Sequence, residues 1–145
     1  MIRKYEARDA EAAFTLAKDS LESAQWSLQS YRELGSAGEW VWVAEAREHV
    51  TGFLVAREMA GEAEILNVVV DKAHRRAGLG RSLLQTARSE FLRVGVSRVF
   101  LEVRESNRGA LEFYENYGFV RKGFRKGYYH EPVEGAVLME MKLTG

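Results

Sequence analysis

The chain has 145 residues, 46% of them hydrophobic, and its 21 Lys and Arg are balanced by 21 Asp and Glu. This length and apolar content fit a single domain over residues 1–145, and zero net charge argues against nucleic acid or an anionic membrane as the main partner. The chain has no cysteine, which removes disulfide frameworks, thiolate metal sites and a cysteine nucleophile.

Residues 2–5 read as a short strand, after which Asp9 can cap a helix that keeps Ala10, Ala13, Phe14, Leu16 and Ala17 on helical spacing. A second helix is predicted from the cap Ser27 to Gly35. The period then changes. Residues 40–44 and 52–56 are β-rich runs joined by the polar stretch 47–49, the pattern of an antiparallel hairpin, and Gly61 turns into a third strand over 63–70. Residues 78–94 place Leu79, Leu83, Leu84, Ala87 and Phe91 on one helical face and stop at Gly95, a residue suited to a left-handed position after a helix. Residues 96–103 form a nearly continuous apolar run, which predicts a strand buried on both faces. A helix over 107–117, ended by Gly118, and two strands near 119–128 and 136–143 complete the order. Strands and helices in this sequence predict an α+β fold around a mixed sheet. The opening Met1-Ile2-Arg3-Lys4-Tyr5 has no apolar run behind its basic residues, and no stretch approaches the roughly 18 apolar residues of a membrane span, so a cytoplasmic protein is expected. His49, His74 and His130 are scattered and no His-Glu-x-x-His pair occurs, so no metal site is expected.

The most informative stretch runs from Val68-Val69-Val70 through a basic turn, Asp71 to Ala77, into Gly78-Leu79-Gly80-Arg81-Ser82. A helix start leaves backbone N–H groups unpaired at the positive end of the dipole, and glycines let a ligand come close to the backbone, so this is a candidate anion site, most naturally for a pyrophosphate. The same two glycines also fit a plain helix start packed against a sheet. No Gly-x-x-x-x-Gly-Lys-Ser/Thr string occurs, which excludes a P-loop. The dinucleotide pattern Gly-x-Gly-x-x-Gly begins at Gly78 and Gly80 but meets Leu83 at its third glycine. Glu102 lies near the spacing of a ribose-binding acid, while the early helix pair and antiparallel hairpin count against that fold.

Arg75-Arg76-Ala77-Gly78-Leu79-Gly80 has the form Arg/Gln-x-x-Gly-x-Gly/Ala, and with it the chain resembles the GNAT superfamily of acyl-CoA N-acyltransferases. Leu101-Glu102-Val103-Arg104-Glu105-Ser106-Asn107 and Phe113-Tyr114-Glu115-Asn116-Tyr117-Gly118-Phe119 resemble later motifs of that superfamily, most of all its ribosomal-protein-alanine N-acetyltransferase branch. The resemblance implies a mixed, mostly antiparallel sheet of six to seven strands flanked by four helices, with acetyl-CoA as co-substrate and no metal. It also implies an acceptor that is the N-terminal peptide of a protein, a ribosomal protein among the candidates.

Two residues stand out for acetyl transfer. Glu102 interrupts an apolar strand, where a carboxylate is costly unless it is paired, has a role or sits at an open strand end. Tyr114 is either a core aromatic or a phenol able to donate a proton. The resemblance implies that Glu102 is the general base and Tyr114 the general acid, with Glu64 an alternative base that could otherwise be strand-edge charge. It further implies that coenzyme A is held by Val68, Val69 and Val70, by the turn Arg75, Arg76, Ala77, Gly78, Leu79, Gly80 and Arg81, and by Asn107, which is also a good helix cap. Trp26, Tyr128 and Tyr129 would shape the acceptor groove in that family, and as loop aromatics they fit local packing equally well. One departure is visible: this chain has Gln25-Trp26-Ser27 where the branch commonly has Pro-Trp-Ser.

Overall fold

The computed structural model describes residues 1–20, 23–75, 77–130 and 133–143. Its strands are β1 (Ile2–Lys4), β2 (Trp40–Ala46), β3 (His49–Met59), β4 (Glu62–Val70), β5 (Arg98–Arg104), β6 (Val120–His130) and β7 (Val133–Lys142). Its α-helices are α1 (Ala10–Lys18), α2 (Leu28–Arg32), α3 (Leu79–Arg93) and α4 (Arg108–Tyr117). The strands form one sheet in the order β1-β2-β3-β4-β5-β7-β6. Every neighbouring pair is antiparallel except β4 and β5, whose parallel pairing needs the long crossover that α3 supplies. The predicted α+β order around a mixed sheet is the one observed.

Element boundaries moved where partners outweigh local pattern. The strand expected over 52–56 runs from His49 to Met59, because β3 is paired along both edges. Its hairpin to β2 turns on only Arg47 and Glu48, at φ 52° and 67°, two successive left-handed residues that suit the twist of a tight hairpin. The second helix is shorter than expected: Ser27 does cap it, its Oγ accepting from the Ser30 N–H at 3.1 Å, but α2 ends at Arg32. Gly35 and Gly38, at φ 96° and 87°, then carry the chain through turns into β2.

Helices cover the two faces of the sheet unequally. One face packs Leu83 and Phe91 of α3 and Leu111 and Tyr114 of α4 against Leu54, Leu101 and Met139. The other packs Ala13 and Ala17 of α1 and Tyr31 of α2 against Val43, Phe53 and Val69. Each large side chain buried in this way is worth roughly 1.5–3 kcal/mol. The α1–α2 layer lies over β2, β3 and β4 and stops there. In consequence β5 is not buried on both faces as its apolar run suggested. Val99, Leu101 and Val103 are buried under α3 and α4, whereas Phe100, Glu102 and Arg104 are half-buried on the face that α1 and α2 do not reach.

Two irregularities open the middle of the sheet. Along β3, Val55 faces Asn67 and Ala56 faces Ile65, so Leu66 is an extra residue on β4 and forms a bulge. The bulge reverses the alternation: Ala63 and Ile65 lie in the α3–α4 core, while Val69 lies in the α1–α2 core and Val68 and Val70 turn back toward α3. Pairing of β4 with β5 covers Glu62 with Arg98, Ala63 with Val99 and Glu64 with Phe100, and then stops. Beyond Glu64 the two strands diverge. Among the described residues, no helix is long and apolar enough to cross a membrane.

Candidate active site

A cleft of about 940 Å³ occupies the split between β4 and β5 and passes from the α3–α4 side of the sheet to the α1–α2 side. Past the bulge, the edge of β4 that faces the cleft carries Val68, Val69 and Val70, and among the described residues no strand is paired to it. An extended ligand can take the place of the missing strand by pairing with that backbone.

On the α3 side, Gly78 is the residue before the helix, at φ 79°, and among the described residues no side-chain cap is made to the first turn. The N–H groups of Leu79, Gly80 and Arg81 come too early in α3 to have partners four residues behind, so they present a concentrated positive end. Gly78, Leu79, Gly80 and Arg81 all line the cleft. Gly80 has a second reason to be glycine: a Cβ built there would stand 3.1 Å from Phe113 Cζ, so its absence lets α4 pack close to the start of α3. Arg75 lines the same end, its Nε donating to the Val70 carbonyl at 3.4 Å and its Nη2 to Ser20 Oγ at 3.2 Å. Ala77 is exposed and does not line the cleft, and Arg76 lies outside the described residues. Asn107 caps α4, its Oδ1 accepting from the Ala110 N–H at 3.1 Å, and faces the cleft as well.

Tyr114 reaches the cleft from the α3–α4 side. It is wedged against Phe113 and Phe119, with ring centroids 5.2 and 5.5 Å away, and is 9% exposed. Burial raises its phenol well above the ordinary tyrosine value, so it holds its proton throughout the physiological range.

Glu102 enters from the opposite face. Its side chain is 16% exposed and its Oε1 lies 3.5 Å from Arg125 Nε of β6. That contact crosses β7, and a bulge follows it on β6: Arg125 faces Ala136 and Tyr129 faces Glu134, so Lys126, Gly127 and Tyr128 stand opposite Gly135. Gly127, at φ 65°, allows the bend, which brings Tyr128 over Glu102. The phenol of Tyr128 is raised first by the charge of Glu102, then by burial and a hydrogen bond to the same carboxylate, with Arg125 opposing and Glu64 adding a smaller push. Burial and then Glu102 raise Tyr129, whose ring carries the Arg104 guanidinium at 4.1 Å.

The remaining expected residues are placed as follows. Glu64 is on the same face as Glu102 but outside the cleft lining, its Oε1 taken by Arg57 Nη2 at 3.0 Å. Tyr129 lines the cleft and Tyr128 stands at its rim near Glu102. Trp26 packs on Tyr31 at 5.6 Å in the α1–α2 core, and its neighbours Ala24 and Gln25 line the cleft instead. Two cleft-related residues carry no local signal in the sequence: Arg125, and Asn67, which is buried on the bulged strand with its Nδ2 at 3.5 Å from the Ala24 carbonyl. Each is defined by a partner on a distant element.

Residues 4–119 match the acetyltransferase (GNAT) family. The [ribosomal protein bS18]-alanine N-acetyltransferase of Escherichia coli strain K12 is 34% identical over 97 residues, 66% of this chain and 66% of that protein. N-alpha-acetyltransferase RimI of Mycobacterium tuberculosis is 42% identical over 81 residues, 56% of this chain and 48% of its own length. The matched stretch thus spans at most 66% of either relative. The crystal structure of the ribosomal-protein-S18-alanine N-acetyltransferase from Escherichia coli superimposes with a TM-score of 0.87 at 27% identity, covering 100% of this chain and 96% of that one.

Proposed function

The chain belongs to the acetyltransferase (GNAT) family, and on that premise we propose that it transfers the acetyl group of acetyl-CoA to the N-terminal α-amine of a protein. An N-terminal alanine of a ribosomal protein is the first acceptor to test, and a cytoplasmic location accords with it. The observation that carries this proposal is that Glu102 and Tyr114 reach one split in the sheet from its two opposite faces.

The α3 side suits the co-substrate. Acetyl-CoA brings an activated thioester, and the chain's own groups match its parts: the uncapped N–H groups after Gly78 suit the pyrophosphate, and the open edge of Val68 to Val70 suits the amide-bearing pantetheine arm. Arg75, Arg81 and Asn107 add polar contacts around it, with Arg76 an expected further contact. A backbone N–H near the β4 bulge would polarise the thioester carbonyl as negative charge develops on its oxygen.

The α1–α2 side suits the acceptor. Glu102 pairs with the incoming ammonium and accepts its proton, directly or through a water, while the freed amine attacks the thioester carbon. Tyr114, kept protonated by burial, donates its proton to the departing thiolate on the far side of the sheet. The amine attacks directly, so no enzyme nucleophile is needed in a chain without cysteine. An α-amine, with an ordinary pKa of about 7.7–8.0, is already roughly one-tenth neutral at pH 7, whereas a lysine near 10.4 is neutral less than about once in a thousand. A carboxylate is therefore base enough for a chain terminus. Glu64, the alternative base, is engaged by Arg57 and stands off the cleft, which favours Glu102. The rim aromatics Tyr128 and Tyr129 would flank the first residues of the peptide.

The test is thiol release from acetyl-CoA over a peptide panel. Peptides with a free N-terminal Ala or Ser are expected to be turned over, and blocking the terminus abolishes the signal even when lysines are present. Equal turnover of blocked, lysine-containing peptides would contradict the terminal-amine assignment.

A further inference from the structure

The acceptor side holds a cation where an acceptor's cation must go. Arg125 Nε stands 3.5 Å from Glu102 Oε1, and the guanidinium lies 5.4 Å from the centre of the Tyr128 ring. Arg125 starts two strands away from β5, opposite Ala136, and its side chain crosses the small surface that this alanine leaves on β7. Among the described residues, two other charged groups nearby have partners of their own: Arg104 meets Glu134 at 3.2 Å and the Tyr129 ring, and Glu64 meets Arg57. Tyr128 and Tyr129 face the carboxylate from β6 as neutral phenols, and His130 lines the outer cleft. A carboxylate as enclosed as Glu102 needs a partner when no acceptor is bound. Arg125 can also leave, because its side chain is 56% exposed.

We propose that Arg125 is a positioning residue: a resident counter-ion that holds the Glu102 carboxylate through Oε1 and that the acceptor's ammonium must displace. The proposal rests on Glu102 receiving the amine. An α-amine arrives mostly as a cation at neutral pH, and two cations at one carboxylate repel each other. Arg125 therefore keeps the base ordered in the empty site and weakens the binding of every cationic acceptor. Amines bind productively when the peptide behind them makes contacts that offset the displacement.

The experiment compares the unaltered protein with Arg125→Gln, Arg125→Lys and Glu102→Gln. It measures KM and kcat for an alanine-first peptide at saturating acetyl-CoA, and coenzyme A affinity by calorimetry as the check on folding. Arg125→Gln is expected to lower the acceptor KM by roughly two- to fivefold, the size of a partly exposed ion pair, with coenzyme A affinity unchanged. Arg125→Lys keeps the charge and is expected to retain the original KM. An unchanged or raised KM in Arg125→Gln, or an Arg125→Lys variant that behaves like Arg125→Gln, would overturn the proposal. Glu102→Gln separates the two levels. If it is inactive while Arg125→Gln keeps its KM, only the role of Arg125 falls; if it retains full turnover, the assignment of the base falls and this proposal with it.

Discussion

On the α3 side of the cleft the ligand-facing groups are mostly backbone: the uncapped start of α3 after Gly78 and the open edge of Val68 to Val70. On the α1–α2 side they are side chains that find one another across strands, such as Glu102 with Arg125 and Arg104 with Tyr129. Backbone geometry is insensitive to most substitutions, so the first half can hold one unchanging co-substrate in many different sequences. Side-chain pairs change with single substitutions, so the second half is where acceptor choice can vary without rebuilding the fold. Tyr114 and Glu102 belong one to each half and meet at the split.

The largest effects should separate chemistry from binding. Glu102→Gln and Tyr114→Phe are each expected to lower turnover by at least about tenfold, within the roughly 10²–10⁴ typical of general acid or base groups. Coenzyme A affinity should stay unchanged in both. Loss of coenzyme A binding in Glu102→Gln would erase the division between the two halves.

Substitution at Gly80 should damage the α3 half alone. Gly80→Val drives a side chain toward Phe113, 3.1 Å from where its Cβ would sit, and is expected to cost about 1–3 kcal/mol of stability together with coenzyme A affinity. Thermal melts with and without coenzyme A would read both. Asn107→Ala removes the cap of α4 and should cost about 1 kcal/mol, a fall in melting temperature of about 3–5 °C, with little effect on acceptor KM.

The smallest effect near neutrality concerns the buried phenols. Tyr114 is raised by burial, and Tyr5 and Tyr31 are each pushed up to about 12, also chiefly by burial. Above about pH 10 the unfolded chain releases these protons while the folded chain keeps them, so stability falls as pH rises. The contribution is whole below about pH 10 and is lost as pH climbs through the folded values. Denaturant titrations should give flat stability from these groups between pH 7 and 9 and a decline beyond 10. A rise beyond 10 would contradict the burial of the phenols.

The difference between the halves also explains what could be read from the chain itself. The candidate anion site is legible because Arg75 to Arg81 is one continuous stretch in which glycine spacing and a helix start coincide. The element order is legible because each apolar run keeps its own period. Glu102 announces itself by interrupting an apolar strand, yet its partner Arg125 does not, since the pair exists only once β7 has inserted between β5 and β6. The Leu66 bulge has no glycine or proline to mark it and arises from the register of β4 on β3. The run Val99-Phe100-Leu101 resembles a doubly buried strand, but helices cover only one of its faces. Trp26 shows how a loop aromatic leaves two readings open in the sequence, acceptor groove or local packing, and its ring stands 5.6 Å from that of Tyr31.

The most direct measurement uses a conjugate in which the sulfur of coenzyme A is joined through an acetyl linker to the α-nitrogen of an alanine-first peptide. If the two halves of the cleft open onto each other at the split between β4 and β5, one molecule fills both. Its affinity by calorimetry should then exceed that of coenzyme A or the peptide alone by at least about a hundredfold. A conjugate that binds no more tightly than coenzyme A would contradict the two-sided site.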